Sequence, residues 1–166
     1  MQISRIIHTN VVCADIERSL KFYTQVLGAK VHERVDDGGA DIRESLGVTD
    51  GPVRYRAALL YWDDNRGGPY VDLLEWQATS SDRVARPPLS AQDYGYARMA
   101  FEVDDVVAAE RELQEAGLSW VGPIQEARVG PWVVKMVCCR DPDGSLIELT
   151  EFPYGKRRGR AAQPAD

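Results

Sequence analysis

The chain has 166 residues and a formal net charge of −6, with 44% hydrophobic and 28% charged residues. This length allows one domain with a substantial core, or two small modules. The negative charge argues against a nucleic-acid partner. There is no long apolar run and no apolar signal-peptide core, so we expect neither a membrane span nor a membrane partner. Two of its three cysteines, Cys13, Cys138 and Cys139, are adjacent, which indicates a reducing, cytoplasmic location rather than a disulfide framework.

The first half of the chain predicts a strand, a helix and three further strands. Asp15 is the predicted N-cap of the helix, which continues with apolar residues at helical spacing and ends at Gly28. Residues 36–52 are polar and contain glycine, so we interpret them as an insertion or flap. The predicted strands are residues 4–13, 30–35, 53–62 and 70–77.

The same order of elements begins again after residues 78–93, which lack a periodic pattern and are the predicted linker. A second helix is predicted from Asp105 to Gly117. The predicted strands are residues 94–103, 119–125, 131–140 and 145–152. This gives a first module at residues 1–77, a second module at residues 94–152, and a flexible basic tail at residues 153–166.

Two short sequence motifs recur in the two halves of the chain. VVCAD at Val11–Asp15 corresponds to FEVDD at Phe101–Asp105, and we match Leu73–Trp76 with Leu146–Leu149. Neither half can bury both faces of its sheet alone, so the halves are expected to pair, within the chain or between chains. The helix of each half covers one face of its sheet. The other face is predicted to line a shared interior with four polar residues: His8, Glu75, Arg98 and Glu148. The predicted fold is therefore α+β, with two βαβββ modules.

Glu148 is the central candidate residue. The turn Asp141–Gly144 is followed by a strand in which Ile147 and Leu149 point away from the carboxylate. Burying a carboxylate without a partner is costly. The pattern therefore predicts a cation, a set of hydrogen bonds or an open cavity opposite Glu148.

These residues resemble the vicinal oxygen chelate superfamily, which includes glyoxalase I, bleomycin-resistance proteins, methylmalonyl-CoA epimerase and extradiol dioxygenases. The resemblance extends over about residues 4–152. It implies glyoxalase-like half-barrels paired around a small-molecule cavity, and a homodimer. The motifs that carry it are His8 seven residues before Asp15, SLKFYTQVLG at 19–28, Leu73–Glu75, RMAFEVDD at 98–105, and DPDGSLIEL at 141–149.

The resemblance also implies a metal site. In metal-binding members four strand positions point into the cavity, and here they fall on His8, Glu75, Arg98 and Glu148. His8, Glu75 and Glu148 would bind a divalent Fe, Mn, Co, Ni or Zn ion. Arg98 departs from the histidine that is usual at its position, because a guanidinium has no lone pair to offer a metal.

Three functions follow from the resemblance. The leading one is a metal-dependent lyase or isomerase acting on a small oxygenated substrate through an enolate, with Glu75 and Glu148 in acid–base roles and Arg98 holding an anionic group. The alternative is a metal-free protein that binds a small aromatic or drug-like ligand, in which Arg98 neutralises the two carboxylates. A ring-cleaving dioxygenase is the third, weakened because a second histidine is missing in either half.

Overall fold

A computed structural model describes residues 4–39, 54–62, 69–77, 95 and 98–153 of the chain. The chain divides into two compact units, Met1–Pro87 and Pro88–Asp166, called module 1 and module 2 below. Most of the predicted flap, the whole predicted linker and almost all of the predicted tail lie outside the described residues. No helix in the described part is long and apolar enough to cross a membrane.

Module 1 is a four-stranded sheet with one helix. Its sheet has the order β1-β4-β3-β2, with β1 parallel to β4 and the other neighbours antiparallel. A π-helical segment, Phe22–Val26, extends the helix before the chain turns at Gly28. The elements are β1 (His8–Val12), α1 (Ile16–Lys21), β2 (Lys30–Gly38), β3 (Arg54–Tyr61) and β4 (Tyr70–Gln77).

Module 2 repeats this architecture. Its sheet order is β5-β8-β7-β6, again with one parallel pair, β5 and β8, and antiparallel neighbours elsewhere. The repeated order confirms the predicted α+β fold of two βαβββ modules. The elements are β5 (Arg98–Glu102), α2 (Val106–Glu115), β6 (Gln125–Val129), β7 (Trp132–Arg140) and β8 (Leu146–Glu151).

Both predicted helix N-caps are confirmed. Asp15 accepts hydrogen bonds from the backbone N–H groups of Glu17 and Arg18, at 3.0 and 3.1 Å. Asp105 accepts hydrogen bonds from the backbone N–H groups of Val107 and Ala108 in α2, at 3.0 Å each. A capping aspartate therefore fixes where each helix starts on its sheet.

The core of each module lies between its helix and its sheet. In module 1, Ile16 of α1 and Leu73 of β4 are fully buried. In module 2, Val106 of α2 and Ile147 of β8 are fully buried. Because side chains alternate along a strand, the residues between these core positions lie on the sheet face without a helix, called the open face below.

One predicted strand is wrong in position. The composition of residues 119–125 predicts a strand, but within them Trp120 makes only an isolated bridge to Cys139 of β7. The regular strand is β6, Gln125–Val129, which pairs with β7 further along. Pro123 lies between the two pairings and has no N–H to donate, which explains the interruption.

The turn before β8 has the predicted form. Gly144 has a φ of 90°, a conformation that residues with a Cβ rarely adopt. Asp141 accepts backbone N–H hydrogen bonds from Asp143 and Ser145 through Oδ1, at 3.0 and 2.7 Å. This turn sets the register of β8 and so the position of Glu148.

Candidate functional site

A glutamate on each sheet reaches the first turn of the neighbouring helix. Oε2 of Glu75 accepts a hydrogen bond from the backbone N–H of Ile16 at 2.8 Å. Oε2 of Glu151 accepts one from the backbone N–H of Val106 at 2.9 Å. The two contacts are the same in the two modules. Glu75 therefore matches Glu151, and the predicted match of Glu75 with Glu148 is wrong by three residues.

The predicted placement of Glu75 is wrong as well. Glu75 shares its face of β4 with the buried residues Val71 and Leu73, beneath α1, whereas His8 lies on the open face. Glu75 also pairs with the guanidinium of Arg56, at 3.3 Å between Oε2 and Nη1. The sequence favours the wrong match because Leu73–Glu75 (Leu-Leu-Glu) is more similar to Leu146–Glu148 (Leu-Ile-Glu) than to the structural match, Leu149–Glu151 (Leu-Thr-Glu).

Asp72 occupies the position in module 1 that Glu148 occupies in module 2. It lies three residues before Glu75, as Glu148 lies three before Glu151, and its strand partner is Asn10 of β1. Asp72 is not among the site residues predicted from the sequence. The signal was present, because both strands read apolar, acidic, apolar: Val-Asp-Leu in β4 and Ile-Glu-Leu in β8.

Only one of the two oxygens of the Asp72 carboxyl group has a hydrogen-bond donor among the described residues. Its Oδ2 accepts a hydrogen bond from Nδ2 of Asn10 at 2.7 Å. Its Oδ1 is buried and has no hydrogen-bond partner among the residues that the structure describes. Burial raises the pKa of Asp72, while the nearby imidazole of His8 and the bond from Asn10 act to lower it. An acceptor oxygen in this state can bind a proton, a cation or a donor group of a ligand.

Aromatic rings lie beside this pair on the open face of module 1. His8 of β1 is the strand partner of Tyr70 of β4. The imidazole of His32 stacks on the ring of Tyr70 at 4.9 Å and meets the ring of Tyr61 edge-on at 6.1 Å. Both histidines of the chain therefore neighbour Tyr70, and His32, for which the sequence indicated no partner, has two.

Module 2 presents an ion pair at the matching positions. Nε of Arg98 donates to Oε2 of Glu148, and the Thr150 hydroxyl donates to Oε1 at 2.9 Å. The side chain of Glu148 is 10% exposed and that of Arg98 is 44% exposed. The carboxylate predicted to need a partner thus has one on each oxygen, and the guanidinium reaches solvent.

Two further residues adjoin the ion pair on the open face. Cys138 of β7 is the strand partner of Glu148, and burial and the Glu148 carboxylate raise the pKa of its thiol. Arg140 of β7 is the strand partner of Leu146, as Arg98 is from the other side. Its Nη1 donates to the backbone carbonyl of Gly144 at 2.6 Å.

The donor chemistry tests the predicted metal site. In the described part of the chain, no three His, Cys, Asp or Glu residues form a group that could hold an ion. Glu75 is engaged by a helix N-terminus, and both oxygens of Glu148 accept hydrogen bonds. His8 and Asp72 fit a divalent ion in donor type, because they combine an imidazole with a carboxylate oxygen that lacks a partner within the same described part.

Comparisons with known proteins agree with this architecture. The chain is 24% identical over 152 residues to a probable lactoylglutathione lyase of Vibrio parahaemolyticus, covering 91% of this chain and 93% of the relative. It is 25% identical over 149 residues to a lactoylglutathione lyase of Haemophilus influenzae, covering 89% and 92%. A solved glyoxalase family protein from Bacillus cereus matches the fold with a TM-score of 0.75 at 18% identity, covering 92% and 96%.

The paired βαβββ modules thus define a glyoxalase-like protein. A family model described as Glyoxalase/Bleomycin resistance protein/Dioxygenase superfamily matches residues 5–149. The chain belongs to this superfamily, and the resemblance noted from its motifs is confirmed.

Proposed function

We propose that the chain is a glyoxalase-like lyase or isomerase that moves a proton on a small oxygenated substrate, with His8 and Asp72 as its reactive pair. The observation that carries this proposal is the buried Oδ1 of Asp72, which has no hydrogen-bond partner among the described residues. Leaving a buried acceptor unpaired costs about 1–3 kcal/mol, which a bound cation or a substrate donor would recover. Asn10 holds the other oxygen and so fixes the carboxylate.

His8 and Asp72 are the residues that would hold a divalent transition metal. When bound there, such an ion would supply Lewis-acid polarisation of a substrate carbonyl, which would make proton removal beside it easier. Asp72 thereby replaces Glu75 in the metal set inferred from the sequence. We assign Glu148 to holding Arg98 rather than to the metal, because both of its oxygens already accept hydrogen bonds.

The relatives named lactoylglutathione lyase indicate the first substrate to test. Formation and breakdown of lactoylglutathione would be followed by thioester absorbance, with and without a chelator, beside a panel of small 2-oxo acids. We expect turnover that a chelator abolishes and that falls at least a hundredfold in Asp72→Asn. The matched control is Glu75→Gln, which can still accept the N–H of Ile16 and should keep most of the activity.

A second function has its own supporting observation. In module 2, Arg98 neutralises the Glu148 carboxylate, as the metal-free alternative requires for a protein that binds a small organic ligand. In that case aromatic ligands would quench tryptophan fluorescence with an affinity that chelators leave unchanged. Turnover that depends on Asp72 and on metal would reject this alternative. Chelator-resistant binding without turnover of any tested substrate would reject the enzyme.

A further inference from the structure

Two arginines flank one leucine on the open face of module 2. Arg98 on β5 and Arg140 on β7 are both strand partners of Leu146 on β8. Strand partners point to the same face of a sheet, and neighbouring strands are about 4.8 Å apart. The Cα atoms of the two arginines are therefore separated by about 10 Å. Their long side chains rise from the face that α2 does not cover.

Each guanidinium is held at one nitrogen. Arg98 uses Nε to bind Glu148, and Arg140 uses Nη1 to bind the backbone carbonyl of Gly144. Among the described residues, the other nitrogens of both groups have no protein acceptor. An arginine fixed in this way has lost part of its rotamer freedom before a ligand arrives, which lowers the entropic cost of binding.

Acidic groups also lie near the two arginines. Two guanidinium groups adjoin one carboxylate, that of Glu148, whose second oxygen is occupied by Thr150. The carboxylate of Asp141 in the adjacent turn accepts two backbone N–H groups through Oδ1. Glu102 shares the face but lies four residues along β5 from Arg98, about 13 Å away. Among the strand partners on the open face around Leu146 and Glu148, two guanidinium groups thus accompany one carboxylate, and Asp141 adds its charge from the turn.

We propose that Arg98 and Arg140 form a binding site for a small carboxylate or phosphate group. The planar fork of an arginine matches the oxygens of both anions, and two forks at this separation suit a dicarboxylate or a single phosphate. This inference goes beyond the proposed function, because it concerns module 2 alone and needs no reaction at His8 and Asp72. Glu148 then acts as a positioning residue that holds Arg98 and competes with the incoming anion for it.

Isothermal titration calorimetry on the full chain tests the site, with malonate, succinate and inorganic phosphate as ligands, at low salt and with a chelator present. We expect saturable binding of at least one anion, weakened at least tenfold in Arg140→Met. Arg128→Met is the matched control, because Arg128 is exposed on β6 and pairs with Val133 instead of Leu146. It should bind as the wild type does.

Replacing Arg98 alone would leave Glu148 buried without its cation, so the test uses the double variant Arg98→Met with Glu148→Gln. It should also lose at least tenfold in affinity. The single variant Glu148→Gln should bind the anion more tightly, because a competing negative charge is gone. The amide oxygen of the introduced glutamine can still accept a hydrogen bond from Arg98 or Thr150, so this variant keeps one of these contacts while it loses the ion pair.

The outcomes separate this site from the proposed reaction. Equal anion binding by the wild type and by both arginine variants would overturn the site, even if the chain is a lyase or isomerase. Absence of saturable binding for all three anions would overturn it too. Anion binding that depends on Arg98 and Arg140, in a protein that turns over no substrate, would support the site and count against the enzyme.

Discussion

The open faces of the two modules differ where their helix-covered faces agree. Beneath the helices, Glu75 and Glu151 make the same contact with a helix N-terminus. On the open faces, Asp72 beside His8 keeps one oxygen without a partner among the described residues, whereas Glu148 has both oxygens bonded beside Arg98. Packing and capping keep the covered faces alike. The open faces carry no helix, and one has an acceptor oxygen for a ligand where the other has a guanidinium donor.

The largest expected effect tests the agreement of the covered faces. Leu73 and Leu149 are matching core residues, 0% and 3% exposed. Leu73→Ala and Leu149→Ala should each lower the free energy of unfolding by about 3 kcal/mol, because each leaves a cavity beneath its helix. Urea unfolding of both variants measures this. A loss below about 1 kcal/mol in only one of them would show that the two cores are not equivalent.

The next effect concerns the ion pair of module 2. Arg98→Met should lower the free energy of unfolding by about 2 kcal/mol, because it leaves the Glu148 carboxylate buried without a cation. The partial exposure of Arg98 keeps the loss below that of a fully buried pair. Adding Glu148→Gln should restore most of the stability. If the double variant is no more stable than Arg98→Met, the loss comes from packing rather than charge.

Loss of the helix N-cap should lower the free energy of unfolding by the same amount in both modules. Asp15→Ala and Asp105→Ala each remove a side chain that accepts two backbone N–H groups, so each should lower the free energy of unfolding by about 1 kcal/mol. Thermal unfolding of the two variants gives the comparison. Asp15→Asn and Asp105→Asn, which keep an acceptor, are the controls and should stay close to the wild type.

The smallest expected effect is a gain in stability, in the variant Asp72→Asn. Burial raises the pKa of Asp72, so the folded state binds this proton more tightly than the unfolded state does. Without metal, the resulting loss of stability begins as the pH rises through the ordinary value of 3.8 and is complete above the raised pKa. At pH 7 (about neutral), Asp72→Asn should therefore be more stable than the wild type, by less than about 1 kcal/mol because solvent screens the half-buried group.

Thermal unfolding with a chelator present, at neutral pH and at about pH 3.5, checks the gain and its sign. The difference between Asp72→Asn and the wild type should shrink at the lower pH, where both side chains are neutral. Glu148→Gln, the matching change in module 2, should lose stability at neutral pH because its ion pair becomes a neutral hydrogen bond. Loss of stability in both variants would remove the contrast between the two open faces.

Much of the fold could be predicted from the sequence because the signals were local. Asp15 and Asp105 have the side chain that a helix N-cap needs, and Gly144 has the freedom that its turn needs. The position of β6 could not be predicted. Residues 119–125 have strand composition, but pairing with β7 is interrupted at Pro123 and resumes only at Gln125.

For three of the four predicted site residues the predicted sheet face is confirmed, because that face follows from alternation alone. His8, Arg98 and Glu148 lie on the open faces, as expected. Glu75 was misplaced because its role is set by a contact 59 residues away along the chain, with the N–H of Ile16. The pattern within β4 alone does not reveal that contact. Whether His8 and Glu148 bind metal or substrate stays a prediction, as do the homodimer and the cytoplasmic location.

The most direct test of the account is the metal content of two variants with one changed carboxylate each. Protein purified without a histidine tag, then loaded with Fe, Mn, Co, Ni or Zn and desalted, would be measured by elemental analysis. We predict about one equivalent per chain in the wild type and in Glu75→Gln, and loss of the metal in Asp72→Ala. Metal retained by Asp72→Ala but lost from Glu75→Gln would contradict the assignment of Asp72 as the functional carboxylate of module 1.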